Sequence, residues 1–239
     1  QEEGARGVRA LLGECLQGQP GEVLRRVPGR ETYALEGPNG AAWVVKRYTH
    51  RWQGRSPARQ EYEALEALGR AGLRVPRPLG YLERDGRSVV AMERIESEGT
   101  LREVLGEAAP GELQELLSRL LELVLALHQG GWHHRDLYLH HVLLNGDGEL
   151  VLIDLGRARR PRWVRRRWFA KDLAALLLWT PAQVVPALRL RFLARYMDRM
   201  EIDGRQARRR FARDVLRRRA RMAKHRPRHG EVSAWEAST

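Results

Sequence analysis

The sequence predicts an α+β protein with a small strand-rich N-terminal lobe and a larger helical C-terminal lobe. Short apolar runs separated by proline and glycine turns fill the first third of the chain, which is typical of strands. Further on, apolar residues recur every three or four positions, which is typical of helices. The pattern changes near residues 94–98, so we predict an N-lobe over 1–94 and a C-lobe over 95–239.

The N-lobe is predicted to begin with an amphipathic helix and to continue with strands on either side of a second helix. Ser56 and Pro57 mark the start of that second helix, because serine is a favoured N-cap and proline suits the first helical position. The predicted strands cover residues 22–27, 31–35, 41–48, 79–83 and 88–94, and the second helix covers 56–69.

The C-lobe is predicted to contain a long helix over 112–129, whose leucines form a broad apolar stripe and which stops at Gly130. Two short apolar strands, 142–144 and 150–153, follow around an Asn-Gly-Asp-Gly turn. Predicted helices at 168–180, 184–200 and 205–224 complete the lobe.

Two loop carboxylates carry the strongest chemical signal. Asp136 ends His134-Arg135-Asp136 just after the long helix, and Asp154 begins an Asp-Leu-Gly run 18 residues later. Phosphoryl transfer requires one carboxylate that orients the acceptor hydroxyl and another that holds Mg²⁺ against the phosphates of ATP. The pair resembles the catalytic and magnesium loops of protein kinases. The resemblance implies these two roles for Asp136 and Asp154, with His134 and Arg135 as further catalytic-loop residues.

Upstream residues resemble the lysine strand of the same fold. A Val-Val-Lys run ends at Lys46, and in protein kinases the matching lysine contacts the phosphates of ATP and is held by a glutamate of the next helix. Glu61 and Glu63 are the candidates on that helix. Glu61 is favoured because a leucine follows four residues after it, as is common in kinases.

The strand that ends near residue 94 resembles the hinge of kinases. The resemblance implies that the backbone from Glu93 to Ile95 binds adenine and that Met92 lines the back of the pocket. Gly29 is the only glycine between the first two strands, so the glycine-rich phosphate-covering pattern of kinases is absent there.

Other positions depart from protein kinases. His141 stands where protein kinases have a metal-binding asparagine, and an imidazole can ligate a metal when neutral or contact a phosphate when charged. The segment after Gly156 leaves little room for an activation loop before the next helix, and no Ala-Pro-Glu motif occurs.

The combined motifs, from His134-Arg135-Asp136 to the Lys-Asp-Leu-Ala-Ala-Leu run that contains Asp172, resemble the WaaP/InaA family of bacterial lipopolysaccharide core kinases. The resemblance extends over about 20–228 and is most specific over 132–178. It implies ATP- and Mg²⁺-dependent phosphorylation of heptose or 3-deoxy-manno-octulosonic acid (Kdo) at the cytoplasmic face of the inner membrane. It also implies that Asp172 braces the catalytic loop, although an ordinary aspartate in a first helical turn is an alternative.

The net charge of +13 is concentrated in one region of the chain. Residues 157–228 contain 24 Lys and Arg against 5 Asp and Glu, which favours a polyanionic partner such as a lipid-anchored lipopolysaccharide acceptor or an anionic membrane surface. A solvated arginine-rich surface is the simpler alternative. Recognised nucleic-acid-binding motifs are lacking, and aromatic residues are not interleaved with the arginine clusters, so the pattern disfavours nucleic acid as a partner.

Three other classes of function remain open. The first is another kinase of this fold, of the Rio, Bud, aminoglycoside or choline type, although these typically keep asparagine at the position of His141. The second is a pseudokinase or a basic nucleic-acid-binding module without enzymatic activity. The third is a zinc site, because four histidines lie within nine residues: His133, His134, His140 and His141. The single cysteine, Cys15, excludes an internal disulfide framework.

Overall fold

The computed structural model describes residues 2–18, 21–37, 40–49, 56–163 and 166–224. Internal packing divides them into two units. The first holds the described residues up to Arg70 together with Val75–Ile95, and the second holds Ala71–Arg74 and the described residues from Glu96 onward. The assignment of nucleotide binding to 1–94 and of catalysis to 95–239 stays a prediction.

The first unit is built on a five-stranded antiparallel sheet with the strand order β1-β2-β3-β5-β4. The central strand β3 pairs with β2 on one side and with β5 on the other. These strands alternate apolar and polar residues or are rich in valine, which suits a sheet covered on one face. The strands are β1 (Glu22–Val27), β2 (Arg30–Glu36), β3 (Ala42–Tyr48), β4 (Pro78–Arg84) and β5 (Arg87–Glu93).

Two helices pack on this sheet. Helix α1 (Glu2–Gln17) places Leu12, Cys15 and Leu16 against Trp43 and Val45 in an apolar core. Cys15 is fully buried, and burial raises the pKa of its thiol to about 11, so the thiol is protonated at neutral pH. This agrees with a structural role.

Helix α2 (Pro57–Arg70) begins as its sequence predicts. The Arg59 amide donates to the Ser56 hydroxyl at 3.2 Å, so Ser56 caps the helix. Its buried face contains Ala64, Leu65 and Leu68, which lie on one side of the helix with Glu61.

The second unit is mainly helical. It contains α3 (Leu101–Glu107), α4 (Pro110–Gln129), α5 (Arg166–Leu178), α6 (Pro186–Arg199) and α7 (Arg205–Lys224). Helix α4 buries the leucine stripe that its periodicity predicts, and α5 packs along α7. A three-stranded sheet of the order β6-β7-β8 completes this unit, with β6 (Ser97–Thr100), β7 (Val142–Asn145) and β8 (Leu150–Leu152).

Strand β6 and helix α3 are the elements that sequence reasoning missed. Strand β6 has the sequence Ser-Glu-Gly-Thr and contains no apolar side chain, so it shows no period-two pattern. It is held by backbone pairing with β7. Helix α3 has only seven residues, too few for a clear helical period. Its start was visible in principle, because Thr100 and Glu103 form a capping box.

Candidate active site

The loop that contains Asp136 follows directly from the end of α4. Gly131 has φ 79°, a left-handed conformation that turns the chain out of the helix. His133 then forms a two-way backbone bridge with Arg159, and Arg135 also has a positive φ of 77°. A positive φ is unfavourable for arginine, so other contacts must hold the loop in this conformation.

Those contacts come from Asp172 on α5, which is completely buried. Its Oδ2 accepts the His134 amide at 2.7 Å, and its Oδ1 accepts the Arg135 amide at 2.8 Å. The amides of the strained residue Arg135 and of the residue before it are therefore bonded to one carboxylate. This is the bracing role that the family resemblance implies for Asp172.

A buried chain of polar groups supports Asp172 from behind. His128 of α4 lies with Nε2 3.4 Å from Asp172 Oδ2 and with Nδ1 2.7 Å from the Tyr196 hydroxyl. Because an ionised carboxylate can only accept, Nε2 donates to Asp172, and in the neutral ring Nδ1 then accepts from the Tyr196 hydroxyl. Burial opposes ionisation of Asp172, but the hydrogen bond and the charge interaction with His128, followed by the interactions with His134, outweigh it and hold the pKa of Asp172 below its usual value.

Asp136 itself is paired with two cations. Arg157 Nη1 lies 2.9 Å from Oδ1 and 2.8 Å from Oδ2, and Lys171 Nζ lies 3.8 Å from Oδ1. Lys171 also donates to the Arg135 carbonyl. Burial lowers the pKa of Lys171, partly offset by Asp136. The carboxylate is thus fixed in direction and surrounded by positive charge.

His141 and Asp154 lie on the other side of the same loop. The His141 Nδ1 is 2.8 Å from the Asp136 carbonyl, which can only accept, so Nδ1 carries a hydrogen and Nε2 points toward Asp154. The separation between Nε2 and Asp154 Oδ2 is 3.6 Å. Asp154 follows β8 in a left-handed conformation with φ 58°. The structure therefore brings together Asp136, His141 and Asp154.

The remaining histidines of the cluster have separate surroundings. His134 Nε2 lies 3.0 Å from the Ile153 carbonyl, His133 stacks on Trp168, and His140 stacks on Tyr138. Within the described residues, no three His, Cys, Asp or Glu side chains are arranged to hold a metal ion. The geometry gives the zinc alternative no support.

Lowering the pH should destabilise the fold through His133. Burial lowers the pKa of His133 to about 4, so between its ordinary value of about 6.5 and pH 4 the unfolded chain binds the additional proton. The free energy of unfolding should then fall by about 2 kcal/mol from pH 7 to pH 4.5. Urea unfolding of wild-type and His133→Phe protein across this range measures the effect. The variant keeps an aromatic ring against Trp168, and an equally steep pH dependence in it would exclude His133 as the cause.

In the first unit, Lys46 and Glu61 form a buried ion pair. Lys46 Nζ lies 2.5 Å from Glu61 Oε1, and the Tyr48 hydroxyl donates to Glu61 Oε2 at 2.7 Å. Glu63 instead pairs with Arg59 on the exposed side of α2. Glu61 is therefore the glutamate that holds the lysine.

The predicted hinge residues end strand β5. Met92 is buried, and the Glu93 and Arg94 amides donate to the Arg77 and Ala42 carbonyls at 3.0 and 2.9 Å. The Arg77 amide donates to the side chain of Glu93 at 2.8 Å. If the antiparallel ladder continued, the Arg77 amide would donate to the Glu93 carbonyl. Here it donates to the Glu93 side chain instead.

Gly29 lies in the tight turn between β1 and β2 with φ 80°. Its carbonyl accepts the Thr49 amide at 3.1 Å, which ties the turn to the end of β3. A left-handed φ explains the need for glycine at this position.

Comparison with known proteins decides the family. The family described as "Lipopolysaccharide kinase (Kdo/WaaP) family" matches residues 39–196, about two thirds of the chain. The chain belongs to the lipopolysaccharide kinase (Kdo/WaaP) family. The predicted family is confirmed, and the matched range includes every site residue named above except Gly29.

Individual relatives agree with the Kdo/WaaP assignment. The chain is 30% identical over 195 residues to the lipopolysaccharide core heptose(I) kinase WaaP of Pseudomonas aeruginosa, covering 68% of this chain and 71% of that protein. It is 33% identical over 127 residues to the 3-deoxy-D-manno-octulosonic acid kinase of Stenotrophomonas maltophilia. That match covers 49% of each protein, so the chain spans about half the length of this relative.

The predicted kinase-like fold is also confirmed. A solved structure of aminoglycoside-3'-phosphotransferase of type VIII superposes with a TM-score of 0.58 and covers 88% of this chain and 97% of that chain. At 18% identity this similarity shows the fold alone. Among the described helices, none is both long and apolar enough to cross a bilayer.

Membership in a kinase family implies the use of ATP, and the donor groups of this Kdo/WaaP chain fit that requirement. A lysine ammonium held by a buried glutamate suits phosphate oxygens, and the Asp154 carboxylate is the type of oxygen ligand that Mg²⁺ prefers. The His141 imidazole, although next to Asp154, is a poorer ligand for Mg²⁺.

Sequence reasoning missed several residues that surround the Kdo/WaaP catalytic loop. Arg157 and Lys171 contact Asp136, and His128 and Tyr196 support Asp172. Arg157 comes three residues after Asp154, and Lys171 precedes Asp172, so their positions beside the motifs were the available signal. His128 and Tyr196 are 68 residues apart and carry no local signal.

Proposed function

We propose that this protein transfers the γ-phosphoryl group of ATP to a hydroxyl of a lipopolysaccharide inner-core sugar, heptose or Kdo. Membership in the lipopolysaccharide kinase family is the observation that carries the proposal. The heptose and Kdo kinases among its relatives support a core sugar as the acceptor. The aminoglycoside phosphotransferase supports the fold only, so the aminoglycoside class of kinase has weaker support.

In the proposed reaction Asp136 orients the acceptor hydroxyl and accepts its proton as the oxygen attacks phosphorus. The bond between the γ-phosphorus and the leaving oxygen of ADP breaks as the new bond to the sugar oxygen forms. Arg157 and Lys171 hold the orientation of the Asp136 carboxylate. His134 and Arg135 contribute through the loop backbone, which Asp172 holds.

We assign Mg²⁺ binding to Asp154, with His141 beside it. Bound Mg²⁺ would neutralise negative charge that develops on the phosphate oxygens. The hydrogen bond from His141 Nδ1 to the Asp136 carbonyl ties the orientation of this ring to the catalytic loop. His141 therefore positions Asp154 when its ring is charged, or adds a nitrogen ligand when neutral.

We assign nucleotide binding to the first unit. Lys46, held by Glu61, contacts phosphate oxygens, and Gly29 allows the β1–β2 turn to approach them. The Glu93 carbonyl and the Ile95 amide bind adenine next to Met92. The Glu93 and Arg94 amides are excluded from this role because they already donate to backbone carbonyls.

The choice between Glu61 and Glu63 gives a matched pair of variants. Glu61→Gln should lower kcat/KM for ATP by about 10- to 100-fold, because Lys46 loses a charge-assisted hydrogen bond worth about 1.5–3 kcal/mol. Glu63→Gln changes the same group on the same helix but affects an exposed pair, so kcat/KM should be unchanged. Steady-state kinetics with varied ATP test both. Equal effects of the two variants would contradict the assignment of Glu61.

We further propose that the exposed basic face of α7 attracts an anionic membrane surface at the cytoplasmic side of the inner membrane. Helix α7 buries only Phe211 and Val215 and exposes a row of basic side chains: Arg205, Arg209, Arg210, Arg213, Arg217, Arg219, Arg221 and Lys224. Each basic residue near such a surface contributes about 1 kcal/mol. Failure to co-sediment with anionic vesicles at low salt would exclude this role.

The decisive experiment offers the protein ATP, Mg²⁺ and a dephosphorylated core oligosaccharide and locates new phosphate by mass spectrometry. A single new phosphate on heptose or Kdo is the expected product. Transfer to protein hydroxyls instead would favour a Rio-type kinase, and transfer to an aminoglycoside would favour that class. Absence of ATP turnover, with salt-dependent binding to duplex nucleic acid, would favour the binding module.

A further inference from the structure

We propose that Arg135, Arg157 and Lys171 form an anion subsite beside Asp136, which binds a carboxylate or phosphate group on the acceptor sugar. This inference rests on the proposed function and adds to it the chemistry of the acceptor, an anionic sugar and not a neutral one. The name anion subsite is used below for these three side chains.

The guanidinium of Arg135 is the first reason. Its Nε is buried and has no hydrogen-bond partner in the part of the chain that the structure describes. The guanidinium carbon of Arg135 lies 5.8 Å from the centroid of the Trp168 ring. Burial, followed by the nearby charge of Arg157, lowers the pKa of Arg135. A guanidinium that is partly removed from water and whose Nε–H lacks an acceptor among the described residues is suited to a planar oxyanion.

The balance of charge is the second reason. Besides burial, the charge of Arg157 lowers the pKa of both Arg135 and Lys171, and Asp136 and Asp172 raise the pKa of these two residues. The Asp172 carboxylate already accepts two backbone amides and faces His128. Like charges therefore lie close together next to Asp136, and an acceptor with its own negative charge would reduce their repulsion.

The position of Arg157 is the third reason. Its Nη1 is within 2.9 Å of both oxygens of Asp136, so an anion bound to the same guanidinium lies close to the hydroxyl that Asp136 orients. In Kdo, the carboxylate and several hydroxyls are attached to the same sugar ring. Arginine can bind a carboxylate or a phosphate through two parallel hydrogen bonds, which would fix the sugar in one orientation.

The test compares binding of free Kdo with that of its neutral methyl ester, by calorimetry or NMR titration of the full chain without ATP. The acid should bind the wild-type protein about 10- to 100-fold more tightly than the ester. In Arg135→Gln and in Arg157→Gln the ratio of the affinity for the acid to the affinity for the ester should fall toward one. The Arg157 side chain is 40% exposed, so its variant tests the subsite even if Arg135→Gln fails to fold.

Arg167→Gln is the matched control. Arg167 lies over the same ring of Trp168, at 4.9 Å, but is exposed and outside the anion subsite. Its loss removes the same charge and should leave the ratio of acid to ester binding unchanged. A ratio that falls equally in Arg167→Gln would mean that general charge, and not the subsite, is responsible.

Other outcomes are equally informative. Equal binding of acid and ester by the wild-type protein would overturn the subsite for carboxylates. A parallel titration with heptose and heptose phosphate shows whether phosphate is the anion. The proposal is overturned if the protein prefers neither Kdo over its methyl ester nor heptose phosphate over heptose. Because these titrations need no turnover, a preserved acid preference without phosphate transfer would contradict the proposed function and leave the subsite intact.

Discussion

Replacing Asp136 with asparagine should lower kcat for phosphate transfer by about 10²–10⁴-fold while the fold is retained. Asparagine has the same shape and can still accept a hydrogen bond from Arg157, but it cannot take the proton of the acceptor hydroxyl. The measurement is acceptor-dependent formation of ADP at saturating ATP. Because the side chain is partly exposed and polar, unfolding by urea should change little.

Asp147→Asn is the control for this variant. Asp147 lies in the exposed turn between β7 and β8, between the two motifs in sequence, and should show unchanged kcat. An Asp136→Asn protein with wild-type kcat would exclude Asp136 as the proton acceptor. The site would then need another base near the acceptor hydroxyl.

Replacing Asp172 with alanine should have the largest effect on stability, a loss of about 3–5 kcal/mol in the free energy of unfolding. The substitution leaves the His134 and Arg135 amides buried without their acceptor and opens a gap next to His128. Urea unfolding measures the loss. Any protein that still folds should also lose activity, because the strained backbone at Arg135 is no longer held.

Asp198→Ala provides the comparison for Asp172. Asp198 also lies on a helix and also pairs with a cation, Arg208 at 2.6 Å, but its side chain is 58% exposed. Its removal should cost at most about 1 kcal/mol. Similar losses in the two variants would show that the buried network around Asp172 does not brace the loop.

Much of the fold could be predicted because local rules govern most of its elements. The leucine spacing of α4, the Ser-Pro start of α2 and the glycine turns between strands each specify an element from within a few residues. Strand β6 and helix α3 could not be predicted in this way. They are short, and pairing with the distant strand β7 provides the stabilisation that their own sequences lack.

Some residues of the candidate site could likewise be predicted from local sequence, and others could not. Asp136, Asp154 and Lys46 could be proposed from the sequence because the chemistry of phosphoryl transfer demands these side chains in a recognisable order and spacing. The choice of Glu61 over Glu63 depended on which side of α2 faces the sheet. In the structure Glu61 is buried with Lys46, and Glu63 points toward solvent.

The sequence by itself determined the two-lobed fold class, the kinase motifs and the family of this protein, because these depend on local patterns. Only the tertiary structure decided the surroundings of Asp136: Arg157 against its carboxylate, Lys171 nearby, and Asp172 beneath the loop. These residues come from separate segments, and their contacts exist only when packing of α4, α5 and the β7–β8 hairpin brings those segments together. Burial then shifts the pKa values of Arg135, Lys171 and Asp172, and the position of these residues in the sequence does not reveal that shift.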